Sequence, residues 1–317
     1  GQTSHASDRL APEPLLETVS SWLDEGPATP FLAYVHFIPP HMPYRAPERM
    51  VEQFASSKPP NAWHGSFAFD EIEPHMRNVQ HPPLEEWVNQ YDANLLWADW
   101  AVGELERLLR EAGALDTTIF VITSDHGEAF GEHGYTYHGR GVYDEVVRIP
   151  LIVRLPGEAP GVRRVRALTQ TVDVLPTLLD LLRMAYPRED VQGRSLLPLL
   201  AGQDDQVHDY VYARAEGDPP SYLVRDHRWA LVLYQGGAAR ALYDLDADPR
   251  QTHNVIAEHP EILQEMLAAF ADFCREQALP PLDFLHPSAE VPQPRPAPFP
   301  QFSEEEREEL RALGYLE

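Results

Sequence analysis

Asp125 and His126 stand side by side: six residues suited to a buried strand (118–123) lead through Ser124 into them, and Gly127 follows directly. A continuous apolar run bounded by a turn predicts an inner strand of a parallel sheet. In open α/β sheets the carboxyl ends of strands open onto the ligand crevice. A carboxylate and an imidazole placed there, followed by a glycine that lets the backbone turn, form half of a metal site. The plainer alternative is that Asp125 caps a following helix and His126 packs on the surface. Further imidazoles lie on either side. His41 sits in Pro39-Pro40-His41-Met42-Pro43-Tyr44, just past the apolar run 31–37. Prolines fix that loop, which suits a side chain that must be held in place. The alternative is a surface histidine in a proline-rich turn. His138 opens His138-Gly139-Arg140-Gly141, and Tyr143-Asp144-Glu145 follows.

The order of motifs narrows the choice. After the segment around His41 come Asp125-His126-Gly127, then Gly131-Glu132-His133-Gly134, then the stretch 138–153. Thr171-Val172-Asp173 leads into Pro176-Thr177-Leu178-Leu179, and Gly193-Arg194-Ser195-Leu196-Leu197-Pro198 comes later. In this order and spacing the chain resembles the sulfatase family of the alkaline-phosphatase superfamily, from about residue 31 to the C-terminal Leu313-Gly314-Tyr315-Leu316.

The resemblance implies an α/β, alkaline-phosphatase-like fold: a mainly parallel sheet flanked by helices, plus a small C-terminal antiparallel sheet with a helix. It implies one divalent metal ion, most often calcium, held between two acids from an early strand and a later pair. Asp125 and His126 stand at that later pair, where an Asn is frequent in second place. An imidazole suits zinc or manganese better than calcium. His41 is implied as the group that approaches the sulfate and passes a proton to the leaving alkoxide. Many sulfatases carry a lysine shortly before the counterpart of Tyr143-Asp144-Glu145. Lys58, the sole lysine, lies in another segment. His138 is the expected replacement, with Arg140 as a contact for a sulfate oxygen. Glu128 either orients His126 or is solvated, and Glu132 and His133 shape their turn.

One feature of the family is missing. Its nucleophile is a formylglycine made from a Cys or Ser in a Cys/Ser-x-Pro-x-Arg segment, and nothing in the sequence matches. The paired early acids are missing too. The chain therefore reads as the C-terminal portion of a sulfuric-ester hydrolase, inactive alone, whose partners are the N-terminal portion of the same enzyme and a sulfated small molecule or glycan. The rivals are a phosphoryl or phosphonate ester hydrolase or transferase of the same superfamily, and a non-catalytic sulfatase-like domain. The Asp-His pair and the missing lysine lean toward the phosphoryl rival. The family favours a periplasmic or secreted location.

Composition agrees with an enzyme body. The 317 residues are 43% hydrophobic, enough for a real core. The net charge of −25 argues against nucleic acid and anionic membrane as partners. It also repels a polyanion everywhere except at a local cationic site. Cys274 is the only cysteine, so no intrachain disulfide forms, and it falls on the apolar side of a predicted helix, 262–276. No apolar run reaches the 18 residues of a membrane span.

The elements that must position the site follow from periodicity. Helices are predicted at 14–23, 85–111 and 174–184, with Tyr91, Leu95, Ala98, Val102, Leu105 and Leu109 as the apolar face of the second. Gly113 stops that helix, and Asp173 caps the third. Buried strands are predicted at 31–37, 118–123 and 151–154, with His36 in the core or just behind the site. Residues 61–83 form a long insertion that suits a lid or substrate wall. Short strands at 210–213, 222–225, 229–234 and 240–245, with a hairpin at Gly236-Gly237, form a small antiparallel sheet. The expected divisions are a catalytic domain at 1–202, a small α+β subdomain at 203–285, and a Pro-rich strap with a terminal helix at 286–317, the helix capped by Ser303 and Glu306.

Overall fold

A computed structural model describes residues 11–54, 84–139, 141–157, 161–216, 220–234 and 238–277. Among these, the helices in chain order are α1 (Pro12–Asp24), α2 (Glu48–Phe54), α3 (Leu84–Glu111), α4 (Asp144–Val147), α5 (Val174–Leu181), α6 (Leu197–Leu200) and α7 (Pro260–Glu276). The strands are β1 (Phe120–Thr123), β2 (Ala129–Phe130), β3 (Thr136–Tyr137), β4 (Leu151–Arg154), β5 (Val211–Ala215), β6 (Ser221–Arg225), β7 (Trp229–Tyr234) and β8 (Ala238–Asp244). β1 pairs with β4, β2 with β3, and β5-β6-β7-β8 form one sheet in that order. The chain divides into two compact units. One holds residues up to Ile122 together with 152–157, and the other holds 123–151 and 161–277.

The first unit is organised by α3. Its buried residues are Trp87, Val88, Ala93, Asn94, Trp97, Ala101, Leu105 and Leu109. This face is rotated from the one predicted, and Leu95 is 48% exposed. Trp87 and Trp97, two of the three tryptophans on the helix, settle which side goes inward. Asn94 is satisfied locally: it accepts from the Arg45 backbone at 3.2 Å and donates to the Gln90 carbonyl at 2.8 Å. Gly113, at φ +69°, follows the helix end as expected. Ala101, Leu105 and Leu109 meet Leu16 of α1 and Leu115, with Phe31, Val35, Phe37 and Phe120 packed around them.

Residues 31–37 depart from expectation. They keep the alternation of a strand, with Phe31, Val35 and Phe37 turned to that core, but no strand forms there. Leu32 and Tyr34 are 90% and 87% exposed, and His36 is exposed rather than buried. A strand is completed by a neighbour's hydrogen bonds, and none of the described segments pairs with this one. Arg154 ties β4 to the turn before β1, donating to the Leu115 carbonyl at 2.8 Å and pairing with Asp116 at 3.1 Å.

The second unit contains the predicted small sheet. β5 to β8 run antiparallel, with Leu223 opposite Ala213 and Val232. Both faces are covered, which is why these strands read as continuous apolar runs. Tyr222, Val224, Trp229, Leu231, Leu233 and Leu242 pack with Met266, Phe270 and Cys274 of α7. Leu223, Ala230, Val232, Ala241 and Tyr243 pack with Val142 and Tyr143. Leu231, Leu233 and Leu242 are fully buried, each contributing roughly 1.5–3 kcal/mol. Cys274 is a buried free thiol, and burial pushes its pKa up.

Asp173 stands at the N-cap of α5, as expected, but its side chain makes no cap bond to that helix. Its fully buried carboxylate accepts instead from the Gln170 and Arg194 backbones at 2.8 Å each. The predicted lid, the Gly236-Gly237 turn, the Pro-rich strap and the Ser303 helix all lie outside the described residues. Among those described, no helix is long and apolar enough to cross a membrane.

Candidate active site

The chain passes from β1 directly into Ser124, Asp125 and His126, as predicted. Local hydrogen bonds shape this corner. Ser124 Oγ donates to the His126 carbonyl at 2.7 Å, and the His126 N–H donates to Asp125 Oδ1 at 3.0 Å. The Gly127 N–H donates to the Val146 carbonyl of α4 at 2.7 Å. A Cβ on Gly127 would stand 2.2 Å from the Glu145 carbonyl oxygen. Only glycine permits that approach, so α4 sets the height of the Asp125–His126 corner.

The two side chains converge. His126 Nδ1 lies 2.8 Å from the Gly127 carbonyl. A carbonyl only accepts, so Nδ1 carries the proton and Nε2 the lone pair. Nε2 faces Asp125 Oδ2 at 3.6 Å, and Asp125 is largely exposed. Two lone-pair donors thus point into one space reached by solvent.

His138 joins them. Its ring stacks on that of His126, with centroids 3.9 Å apart and planes 23° from parallel. Its Nδ1 lies 3.0 Å from Oε1 of Glu128, whose side chain is only 6% exposed. Glu128 is therefore not solvated; it holds His138. Tyr137, just before, has φ +65°. A bulky residue adopts that backbone at a cost of about 1–3 kcal/mol, and such strain clusters at functional sites. The sequence carried no signal for this acid–imidazole contact beyond the presence of both residue types.

Beside the site is a second acid–imidazole pair. His133 Nδ1 lies 2.7 Å from Glu145 Oε1, and its Nε2 lies 3.1 Å from the Gln251 carbonyl. Its ring stacks on Tyr143 at 3.7 Å. Glu132 accepts from the Phe130 backbone at 2.7 Å, and burial raises its pKa. This matches the shaping role expected of Glu132 and His133. Burial also raises the pKa of Tyr135, whose hydroxyl donates to Glu145.

His41 belongs to the other unit. Its backbone N–H closes a turn on the Ile38 carbonyl at 2.9 Å, and its Nδ1 donates to the Met42 carbonyl at 2.6 Å. The loop holds the ring, as the flanking prolines suggested. Arg140 lies outside the described residues. Among those described, no group of three His, Cys, Asp or Glu side chains is placed to hold a metal ion.

Comparison with known proteins bears on this geometry. The family model described as Sulfatase matches residues 5–184, more than half the chain. A second, described as N-sulphoglucosamine sulphohydrolase, C-terminal, matches residues 131–274. Arylsulfatase K of Xenopus laevis is 28% identical over 293 residues, covering 79% of this chain and 53% of that protein. Choline-sulfatase of Rhizobium meliloti is 30% identical over 265 residues, covering 78% of this chain and 51% of that one. The chain thus spans about half the length of these relatives. Among solved structures, BT4656 in complex with its substrate D-glucosamine-2-N,6-O-disulfate superposes with a TM-score of 0.70. It is 21% identical and covers 84% of this chain and 70% of its own, a likeness in fold. With the two family models spanning both the β1 corner and the β5–β8 sheet, the chain belongs to the sulfatase family and has its alkaline-phosphatase-like fold.

Proposed function

We propose that this chain supplies part of the catalytic centre of a metal-dependent sulfuric-ester hydrolase acting on a sulfated small molecule or glycan. The observation that carries this reading is the juxtaposition of Asp125 Oδ2 and His126 Nε2, 3.6 Å apart, with His138 stacked on the same imidazole. The sulfatase relatives and the disulfated glucosamine bound to BT4656 support a sulfate ester as substrate.

The donor set fits two positions in the shell of a divalent ion. One carboxylate oxygen and one imidazole nitrogen suit manganese or zinc, and less well the calcium usual in the family. Either ion takes more ligands than two, so further ligands come from beyond the described residues. When bound, such an ion draws negative charge from a sulfate oxygen. The chain's own residues do the rest. Glu128 accepts the Nδ1–H hydrogen bond of His138 and fixes the ring, so that Nε2 can hold or give a proton to a sulfate oxygen. Glu128 also offsets the positive charge of a protonated His138. The formylglycine-type nucleophile expected of the family is proposed to lie outside these 317 residues.

The test is turnover of a chromogenic aryl sulfate beside the matching phosphate and phosphonate esters, using protein expressed from its complete reading frame. Sulfate is expected to be preferred, and Asp125→Ala to abolish turnover. Glu128→Gln is expected to lower kcat by roughly 10- to 100-fold with little change in KM. The 317 residues alone should leave the aryl sulfate untouched, since losing a covalent nucleophile costs orders of magnitude. Full activity in Asp125→Ala, or preference for phosphate or phosphonate, would refute the reading.

A further inference from the structure

A pocket in the second unit takes no part in the chemistry above. It lies around the connection from α5 to α6 and measures about 390 Å³, within the roughly 300–1,000 Å³ of small-molecule sites. Asp180, Tyr186, Arg188, Arg194, Ser195 and Gln203 form its polar wall, and Leu197 and Pro198 form an apolar patch. In a chain of net charge −25, two guanidinium groups against one carboxylate make this wall locally cationic.

The wall is fixed from behind. The fully buried Asp173 holds the Arg194 backbone N–H at 2.8 Å and the buried His208 ring at 2.9 Å. Gly193 lies so close to the Val172 carbonyl that a Cβ would meet it at 2.0 Å. The Leu196 N–H donates to the buried Thr177 hydroxyl at 2.8 Å. These contacts lock the backbone that carries Arg194 and Ser195. Arg194 Nη1 donates to the Val207 carbonyl at 2.9 Å, which aims the guanidinium and uses one of its five N–H donors. Arg188 is held more loosely. It lies 5.3 Å over the Tyr186 ring and 3.2 Å from Asp180, with its side chain 72% exposed. An exposed pair of this kind contributes little by itself, so an arriving anion reorganises it at small cost.

We infer that this pocket binds an acidic sugar residue, its sulfate or carboxylate on Arg188 and Arg194 and its hydroxyls on Asp180, Ser195 and Gln203. Guanidinium groups match oxyanions with paired N–H bonds. The mixture of carboxylate, hydroxyl and amide suits the alternating donors and acceptors of a polyol, and the Leu197–Pro198 patch suits the C–H face of a ring. The inference stands on the pocket and does not depend on the hydrolase chemistry.

Isothermal titration of the whole protein with glucose 6-sulfate, glucuronate and glucose, at matched ionic strength, tests it. The Asp125→Ala background removes binding at the proposed metal pair. In that background the acidic sugars are expected to bind and glucose is not. Arg188→Ala and Arg194→Ala should each weaken binding about tenfold or more, the loss of a charged hydrogen bond. Glucose 6-sulfate alone binding would assign the pocket to sulfate, and glucuronate binding equally would assign it to either acid. No binding of either acidic sugar in the Asp125→Ala background, equal binding of glucose, or binding untouched by both arginine variants would overturn the inference. Loss of aryl sulfate turnover in Asp125→Ala with sugar binding retained separates the pocket from the hydrolase site.

Discussion

At the scale of single residues, the two acid–imidazole pairs do different work. His138, held by the buried Glu128, stacks on His126 beside Asp125, whereas His133 and Glu145 are largely shielded and bind α4 to the turn before β3. Burial works against a charged His133 ring, but the Glu145 hydrogen bond and charge, the Gln251 carbonyl and Glu132 outweigh it and hold its pKa above the ordinary 6.5. A folded-state pKa raised above the unfolded one stabilises the fold fully below the unfolded value and loses that contribution as pH rises through the folded one. The unfolding free energy in urea is therefore expected to fall as pH climbs from about 6.5. Glu145→Gln should flatten that slope. Parallel slopes for the two proteins would show that the pair does not titrate with folding.

At the scale of elements, the corner after β1 is set by its contact with α4. Gly127 lies where a Cβ would stand 2.2 Å from the Glu145 carbonyl. Gly127→Ala must push the corner and α4 apart, at a cost of about 1–3 kcal/mol as for other overpacked sites. Chemical denaturation should show that loss, and divalent-ion affinity should fall with it as Asp125 and His126 move. An unchanged midpoint would mean that the corner can shift without strain. The β5–β8 sheet depends instead on side-chain burial on both faces. Leu231→Ala there is expected to cost about 2–5 kcal/mol in the same measurement, without touching the corner.

At the scale of the whole molecule, charge dominates. Fifty acidic residues against 25 basic ones leave a net −25. Exposed ion pairs such as Arg107 with Glu104 and Glu111 contribute about 0–1 kcal/mol each, too little to offset repulsion on this scale. Salt shortens the reach of that repulsion from about 30 Å at 0.01 M to about 3 Å at 1 M. The melting temperature should therefore rise with sodium chloride across that range. A falling melting temperature would mean that attractive pairs outweigh net repulsion. The same field turns polyanions away except at cationic spots, which gives the Arg188–Arg194 pocket its significance.

The sequence by itself determined the features that rest on local spacing. The β1 strand delivering Asp125 and His126, the 28-residue α3 with its stop at Gly113, and the four short strands with α7 were all legible. Periodicity, turn residues and apolar runs are properties of consecutive residues, and they survive without knowledge of neighbours. Tertiary structure decided the rest. It put Leu95 on the surface, left 31–37 without a described partner strand, brought Glu128 to His138, and used the Asp173 carboxylate as a buried anchor for Arg194. Each of these depends on which distant segment arrives alongside. A carboxylate or an apolar face has several partners open to it in the chain, and only close packing selects one.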